Sequence, residues 1–230
     1  MTAAMTASLL AACSTPQPPV STQPIAVVAA GSLREALTEV AQAHEARTGQ
    51  KLALSFARCA PHVFVRNQLC AITQAQFNLT PDRLLDALLD PAIRLGTSTP
   101  KADPAGDYAW ALFRRADAVR PGALATLERK ALQLTGGPAS PKAPAGRGTY
   151  AWVMDQGQAD VFLTYCTNAV VAQQEVPRLK IVAVPANLQV GADYGLTVRM
   201  GAHPAAQAFA DALLAPPAQA IFARYGFGQP

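Results

Sequence analysis

Apolar residues along this chain recur with two alternating periods, first every second residue and then every third or fourth, which predicts a succession of strands and helices. Residues 25–30 form a continuous β run closed by Gly31. Ser32 stands three residues before Glu35, the spacing of a capping box, and Leu33, Ala36, Leu37, Val40 and Ala41 follow at helical spacing. The reading is strand, tight turn and helix, with Gly49 as the stop and residues 51–56 as a second, alternating strand.

Downstream, residues 62–73 read as a strand, and Thr80 followed by Pro81 opens a helix through Leu89, the threonine at the cap and the proline at the first helical position. Residues 93–97 are a strand. Asp103-Pro104-Ala105-Gly106 then opens a helix through Arg115, and a short helix and a strand run to Leu134. A loop rich in Gly, Pro, Ala and Ser covers residues 136–146, followed by a helix to Gln156 and a strand over residues 160–165. Strand, helix and strand continue to Val198, and two helices within residues 204–225 close the pattern. Alternating β and α elements predict an α/β fold built on a doubly wound, largely parallel sheet.

Composition refines this picture. With 230 residues, 50% hydrophobic and 15% charged, the chain can bury a core as one large domain or two small lobes. The net charge of +4 would suit an acidic partner, but Lys and Arg interleave with carboxylates. The densest basic pairs, Arg114-Arg115 and Arg129-Lys130, fall on predicted helices as solvated faces. A basic stripe with stacking aromatics is missing, so nucleic acid is not an expected partner, while a mild positive field would help to recruit an anion.

Residues 1–13 form a short apolar segment ending Leu10-Ala11-Ala12-Cys13, which looks like a bacterial lipoprotein signal with Cys13 as the lipidated residue. Prolines between residues 16 and 24 would make the tether, so residues 1–24 are expected to be signal and tether, with the membrane reached only through the lipid. The other reading is an unstructured tail with an idle cysteine. No later stretch is apolar for long enough to span a bilayer. Of the remaining cysteines, Cys59, Cys70 and Cys166, two are expected to pair in an oxidising compartment, with Cys70 and Cys166 preferred. No Cys-x-x-Cys pattern exists, so no zinc site and no cofactor is expected.

In open α/β sheets a ligand sits at the carboxyl ends of the strands, where helix N-termini offer free N–H groups and partial positive charge. Four turns here are built from small or hydroxylic residues: Gly31-Ser32, Pro104-Ala105-Gly106, Gly146-Arg147-Gly148 and Tyr165-Cys166-Thr167. Each could cradle an anion. Each also has a plainer reading: Ser32 as a helix cap, Ala105-Gly106 as a tight turn, Gly146 and Gly148 as loop joints, Tyr165 as a core aromatic.

Ala29-Ala30-Gly31-Ser32-Leu33 with Ser55-Phe56, the PAGDYA turn within residues 96–109, Gly146-Arg147-Gly148, VFLTYCTNA over residues 161–169, residues 194–199 and the terminal Arg224-Tyr225-Gly226-Phe227 appear in order. Together they resemble the periplasmic molybdate-binding proteins of ABC transporters, over nearly all of residues 25–227. The resemblance implies a bilobal periplasmic-binding-protein type II fold, with two doubly wound lobes joined by crossing hinge strands. Lobe I would comprise residues 25–65 and 198–230, and lobe II residues 66–197. The hinge would lie near residues 67–73 and 194–198. It implies capture of molybdate, tungstate or a similar tetrahedral oxyanion, without a metal ligand or cofactor, for delivery to a membrane permease. By position, Ser32 would supply hydroxyl and amide, Ala105 and Gly146 backbone amides, and Tyr165 a phenol; several such donors can hold a desolvated dianion.

Two departures stand out. Cys59, beside Arg58, occupies the place of the family's second binding serine, and a thiol is a weak donor. Several dozen residues that relatives carry before the strand over residues 63–73 are missing, so the first lobe is expected to be reduced and the monomer, or a dimer covering the gap, remains open. Two other functions compete: a shortened paralogue serving as a lipoprotein scaffold or sensor, and, more remotely, an enzyme using Cys59 with His62 as thiolate and base. No Gly-x-Ser-x-Gly, His-Glu-x-x-His or phosphate-loop motif supports the enzyme.

Overall fold

β1 (Ile25–Ala29) is followed by a 3-10 turn at Gly31–Leu33 and α1 (Arg34–Thr48), and the chain returns in β2 (Leu52–Phe56), which lies parallel to β1. This is a computed structural model, and it describes residues 24–29, 31–56, 62–199 and 202–230. The proposed lipidation site Cys13, Arg58 and the candidate ligand Cys59 lie outside the described residues. Helix α1 buries Ala36, Leu37, Val40 and Ala41, the stripe its spacing predicts. It ends at Gly49, whose φ of 72° is open to glycine without strain and lets its N–H bond Glu45 O. The capping box is not formed. The 3-10 turn places Leu33 at the cap position, so Ser32 sits one residue too early to reach the helix amides.

Then come β3 (His62–Thr73), a 3-10 turn at Pro81–Arg83 leading into α2 (Leu84–Leu89), β4 (Leu95–Ser98), α3 (Pro104–Val119), α4 (Ala123–Lys130) and β5 (Leu132–Thr135). They are followed by α5 (Thr149–Asp155), β6 (Val161–Tyr165), α6 (Cys166–Glu175), β7 (Lys180–Ala183), β8 (Gly191–Leu196), α7 (Pro204–Leu214) and α8 (Pro216–Arg224). Helix α3 runs one turn beyond the expected stop at Arg115, because Ala116 continues the buried stripe of Ala105, Ala109, Leu112 and Phe113.

The main sheet has the order β5-β4-β6-β3-β7, with β8 paired to β3. Strands β4, β5 and β6 are parallel, as expected of strands joined by helices. Strand β3 is the exception: it runs antiparallel to β6 and β7, so the sheet is mixed. Its 12 residues serve three partner strands. The first half pairs with β8, from His62↔Leu196 to Gln68↔Gly191, and the second half, from Leu69 to Thr73, enters the main sheet.

Side chains on β6 alternate between two cores, as a strand covered on both faces requires. Val161, Leu163 and Tyr165 face a core with Leu84, Leu88, Leu112, Phe113 and Leu127. Phe162 faces the other, with Ile72, Val153, Met154, Ala169 and Leu179. A third core gathers α1, α7 and α8 around Leu37, Val40, Phe64, Val65, Phe209 and Phe222. The chain end is tied to β3 through paired Arg66 and Gly228 backbone bonds of 2.9 and 2.8 Å. Cys70 and Cys166 form a disulfide, the expected pair.

Candidate functional site

Tyr165 closes β6 and immediately precedes α6, at the strand-to-helix junction, and packs in the core beside α3. Its ring lies 5.7 Å from that of Tyr108, on the second turn of α3. Burial pushes the Tyr165 pKa far above the ordinary phenol value, and Tyr194, Tyr108, Asp103 and Tyr150 push it further. Tyr108 is raised in the same way, by burial first and then by Tyr194, Asp193 and Asp107. Both phenols are thereby kept in the neutral, protonated form, which can donate a hydrogen bond.

Tyr194 brings in the other side. It stands on β8, packs edge-to-face on Phe227 at 5.8 Å, and its hydroxyl lies 2.6 Å from Ser32 Oγ at the start of α1. Ser32 is exposed. An exposed serine before α1 and a tyrosine of β8 thus share a hydrogen bond.

The floor at α3 is polar. Asp103 caps the helix: its Oδ1 accepts from Ala105 N–H at 2.9 Å, and its Oδ2 accepts from the Tyr150 hydroxyl at 3.0 Å. Tyr150, raised in pKa chiefly by burial, also lies 3.2 Å from Ser98 Oγ, which in turn meets Thr135 Oγ1 at 2.8 Å. Gly136, with φ of 77°, folds its loop against Asp103 so tightly that a Cβ there would come within 2.4 Å of the aspartate Cβ.

Ser32 is thus joined to Tyr194, Ala105 to Asp103, and the Tyr165 ring to that of Tyr108. Ala105 N–H, expected to face a ligand, is taken by Asp103 in this structure. Gly146 has the left-handed φ of 81° that suits glycine, but its neighbour Arg147 turns to Glu175 and Asp155. Those side chains, with Val176, Pro177 and Arg178, line a separate cavity of about 410 Å³. Glu175 Oε2 also accepts from Gly148 N–H at 2.8 Å, so this loop is engaged in its own ion network. Sequence reasoning passed over Tyr108, Tyr150 and the hydroxyl of Tyr194. The turns at Gly31-Ser32, Pro104-Ala105-Gly106 and Tyr165-Cys166-Thr167 were the signals that lie among these residues. Among the described residues no group of three or more His, Cys, Asp or Glu is arranged to hold a metal, and no helix is long and apolar enough to cross a membrane.

Comparison with known proteins agrees with this architecture. The substrate-binding domain assigned to a molybdenum ABC transporter of Clostridium difficile superposes with a TM-score of 0.68 at 18% identity, covering 90% of this chain and 99% of that one. Peb3 of Campylobacter jejuni gives 0.61 at 16%, covering 90% and 100%. The periplasmic molybdate-binding protein of Azotobacter vinelandii gives 0.51 at 15%, covering 90% and 99%. At such identities the likeness concerns the fold, which is the mixed α/β fold of periplasmic solute-binding proteins. By sequence, an uncharacterized protein of Pasteurella multocida is 38% identical over 141 residues, 59% of this chain, and the match spans 58% of that relative's length. The profile of the family described as bacterial extracellular solute-binding protein matches residues 58–228, and this chain belongs to that family.

Proposed function

We propose that the protein captures a small tetrahedral oxyanion, such as molybdate, tungstate or a similar anion, and delivers it to the permease of an ABC importer. The observation that carries this reading is the 2.6 Å pair of Ser32 and Tyr194 hydroxyls beside the protonated phenols of Tyr165 and Tyr108. Neutral O–H donors fixed by packing can replace the hydration shell of an anion without a cation. Lobe I, residues 25–65 and 198–230, would close on lobe II, residues 66–197, by bending where β3 crosses β8. Ser32, Tyr165, Ala105 and Gly146 would then contribute donors, Ala105 only after exchange with Asp103, and Cys59 would complete the wall. A lipid on Cys13 would keep the protein at the outer face of the membrane. The L-phospholactate bound to Peb3 in one related structure, of TM-score 0.60 and 14% identity, widens the class to phosphorylated carboxylic acids.

Isothermal titration of the folded protein with molybdate, tungstate, sulfate and phosphate tests the proposal. Saturable heat from at least one is expected; silence from all four sinks it. A scaffold or sensor role is favoured by one observation, the two-stranded β1-β2 sheet on the Ser32 side, which leaves little wall for a closed cleft. Restoration of oxyanion uptake in cells lacking their own binding protein separates the two readings, since a scaffold would not restore it.

A further inference from the structure

Strand β3 changes partners between Gln68, which pairs with Gly191 of β8, and Leu69, which pairs with Tyr165 of β6. The side chain of Gln189 holds that junction: its Oε1 accepts from Leu69 N–H at 3.1 Å and its Nε2 donates to Leu69 O at 3.1 Å. Beside it lies a cavity of about 150 Å³, whose lining includes Arg66, Gln68, Arg115, Gln189, Gly191 and Asp193. Arg115 reads in the sequence as part of a solvated helix face, but its guanidinium crosses from α3 to donate to the Gln189 carbonyl. Arg66 Nε donates to Asp193 Oδ1 at 3.0 Å, between residues that face each other on β3 and β8.

Two guanidiniums thus line one cavity with a single carboxylate. Among the described residues neither Nη of Arg66 has a hydrogen-bond acceptor, and Arg115 pairs with no carboxylate. One positive charge is left over, which a monoanion balances and a dianion overshoots. The N–H groups of a guanidinium lie in one plane as a fork, the geometry that a carboxylate accepts with both oxygens. We propose that this cavity is a binding site for the carboxylate group of a small organic acid, held by Arg66 and Arg115. Its volume admits an acid of a few carbon atoms. An occupant ties α3 to β3 at the place where β3 leaves β8. The lining includes none of the proposed oxyanion donors, so the site stands apart from that reading.

The experiment is a chemical-shift titration of the isotope-labelled full chain with sodium acetate, against sodium chloride at matched ionic strength. It follows the Gly191 amide and the Nε–H signals of Arg66 and Arg115. A saturable shift of these signals with acetate alone is expected. Arg115→Gln is expected to weaken acetate binding at least about tenfold. Arg115→Lys keeps the charge but not the fork, and is expected to weaken it several-fold. Thermal melts establish that the variants fold. Identical responses to acetate and chloride in the wild type overturn the proposal, as does an unchanged acetate affinity in a folded variant. Calorimetric titration of the same proteins with molybdate reads the oxyanion site separately. Acetate binding together with silence from molybdate supports this site and removes only the oxyanion reading.

Discussion

Cys70 on β3 and Cys166 at the first position of α6 are joined by a disulfide across 96 positions of sequence, and Cys166 directly follows Tyr165. The bond fastens the end of β6 to the crossing strand at the point where Cys70 already pairs with Thr164. It therefore restrains the phenol proposed to meet the ligand. Closing so long a loop is worth about 2–5 kcal/mol in chain entropy. The double variant Cys70→Ser, Cys166→Ser is expected to unfold at clearly lower urea concentration, and reductant is expected to lower the wild-type midpoint but not the variant's. Coincident wild-type and variant curves would mean that the bond adds no stability.

Tyr194→Phe isolates one hydroxyl. The ring keeps its edge contact with Phe227, so folding stability is expected to hold within about 1 kcal/mol, while Ser32 loses its partner. Removing a donor from a site built of neutral donors is expected to weaken oxyanion binding about tenfold. Titration beside a thermal melt reads both quantities. A melt lowered by many degrees with unchanged affinity would make Tyr194 a structural residue alone.

Gly106→Ala tests the turn that opens α3. A Cβ at Gly106 would lie 2.6 Å from the Thr99 carbonyl carbon and 2.7 Å from Pro100 N, backbone that cannot step aside as a flexible side chain can. The variant is expected to lose about 1–3 kcal/mol, and to displace Asp103 along with the turn. A chemical-denaturation curve superimposable on that of the wild type would show that the turn yields freely.

Gly106 also marks where sequence reading stops. Small residues after Pro104 announce a tight approach, and there is one, but the object that approaches is the chain's own Thr99-Pro100 backbone. Helix and strand order was legible because burial repeats with the period of each element, as in the α1 and α3 stripes. The convergence of Tyr194 on Ser32, 162 positions away, has no local period and so left no trace in the pattern. Asp103 was legible as a helix opener, since Asp before Pro is a cap signal, but not as the acceptor that takes the Ala105 amide. The antiparallel run of β3 was hidden for a similar reason. An apolar, alternating stretch does not reveal its direction, which is set by distant partners on β6, β7 and β8.

Asp160 gives the acid side of stability a definite source. It stands at the entry to β6, where its carboxylate accepts from Arg94 Nη2 at 2.6 Å, from Arg94 Nε at 3.1 Å and from the Arg94 backbone N–H at 2.9 Å. The Arg94 side-chain bonds, opposed in part by burial and aided by the backbone bond and the guanidinium charge, hold its pKa below the ordinary 3.8. A carboxyl depressed on folding stabilises the native state while it is ionised in both states. Its contribution is thus fully present above about pH 5, begins to fade as the unfolded form protonates near pH 4, and is gone once pH falls below the lowered folded value. Since Arg94 is half exposed, solvent screening keeps the effect to about 1 kcal/mol. Asp160→Asn is accordingly expected to lower stability by about that amount at pH 7 and by progressively less between pH 5 and pH 3. Urea unfolding at a series of pH values measures the difference, and a gap between the two proteins that stays constant down to pH 3 would exclude ionisation of Asp160 as its cause.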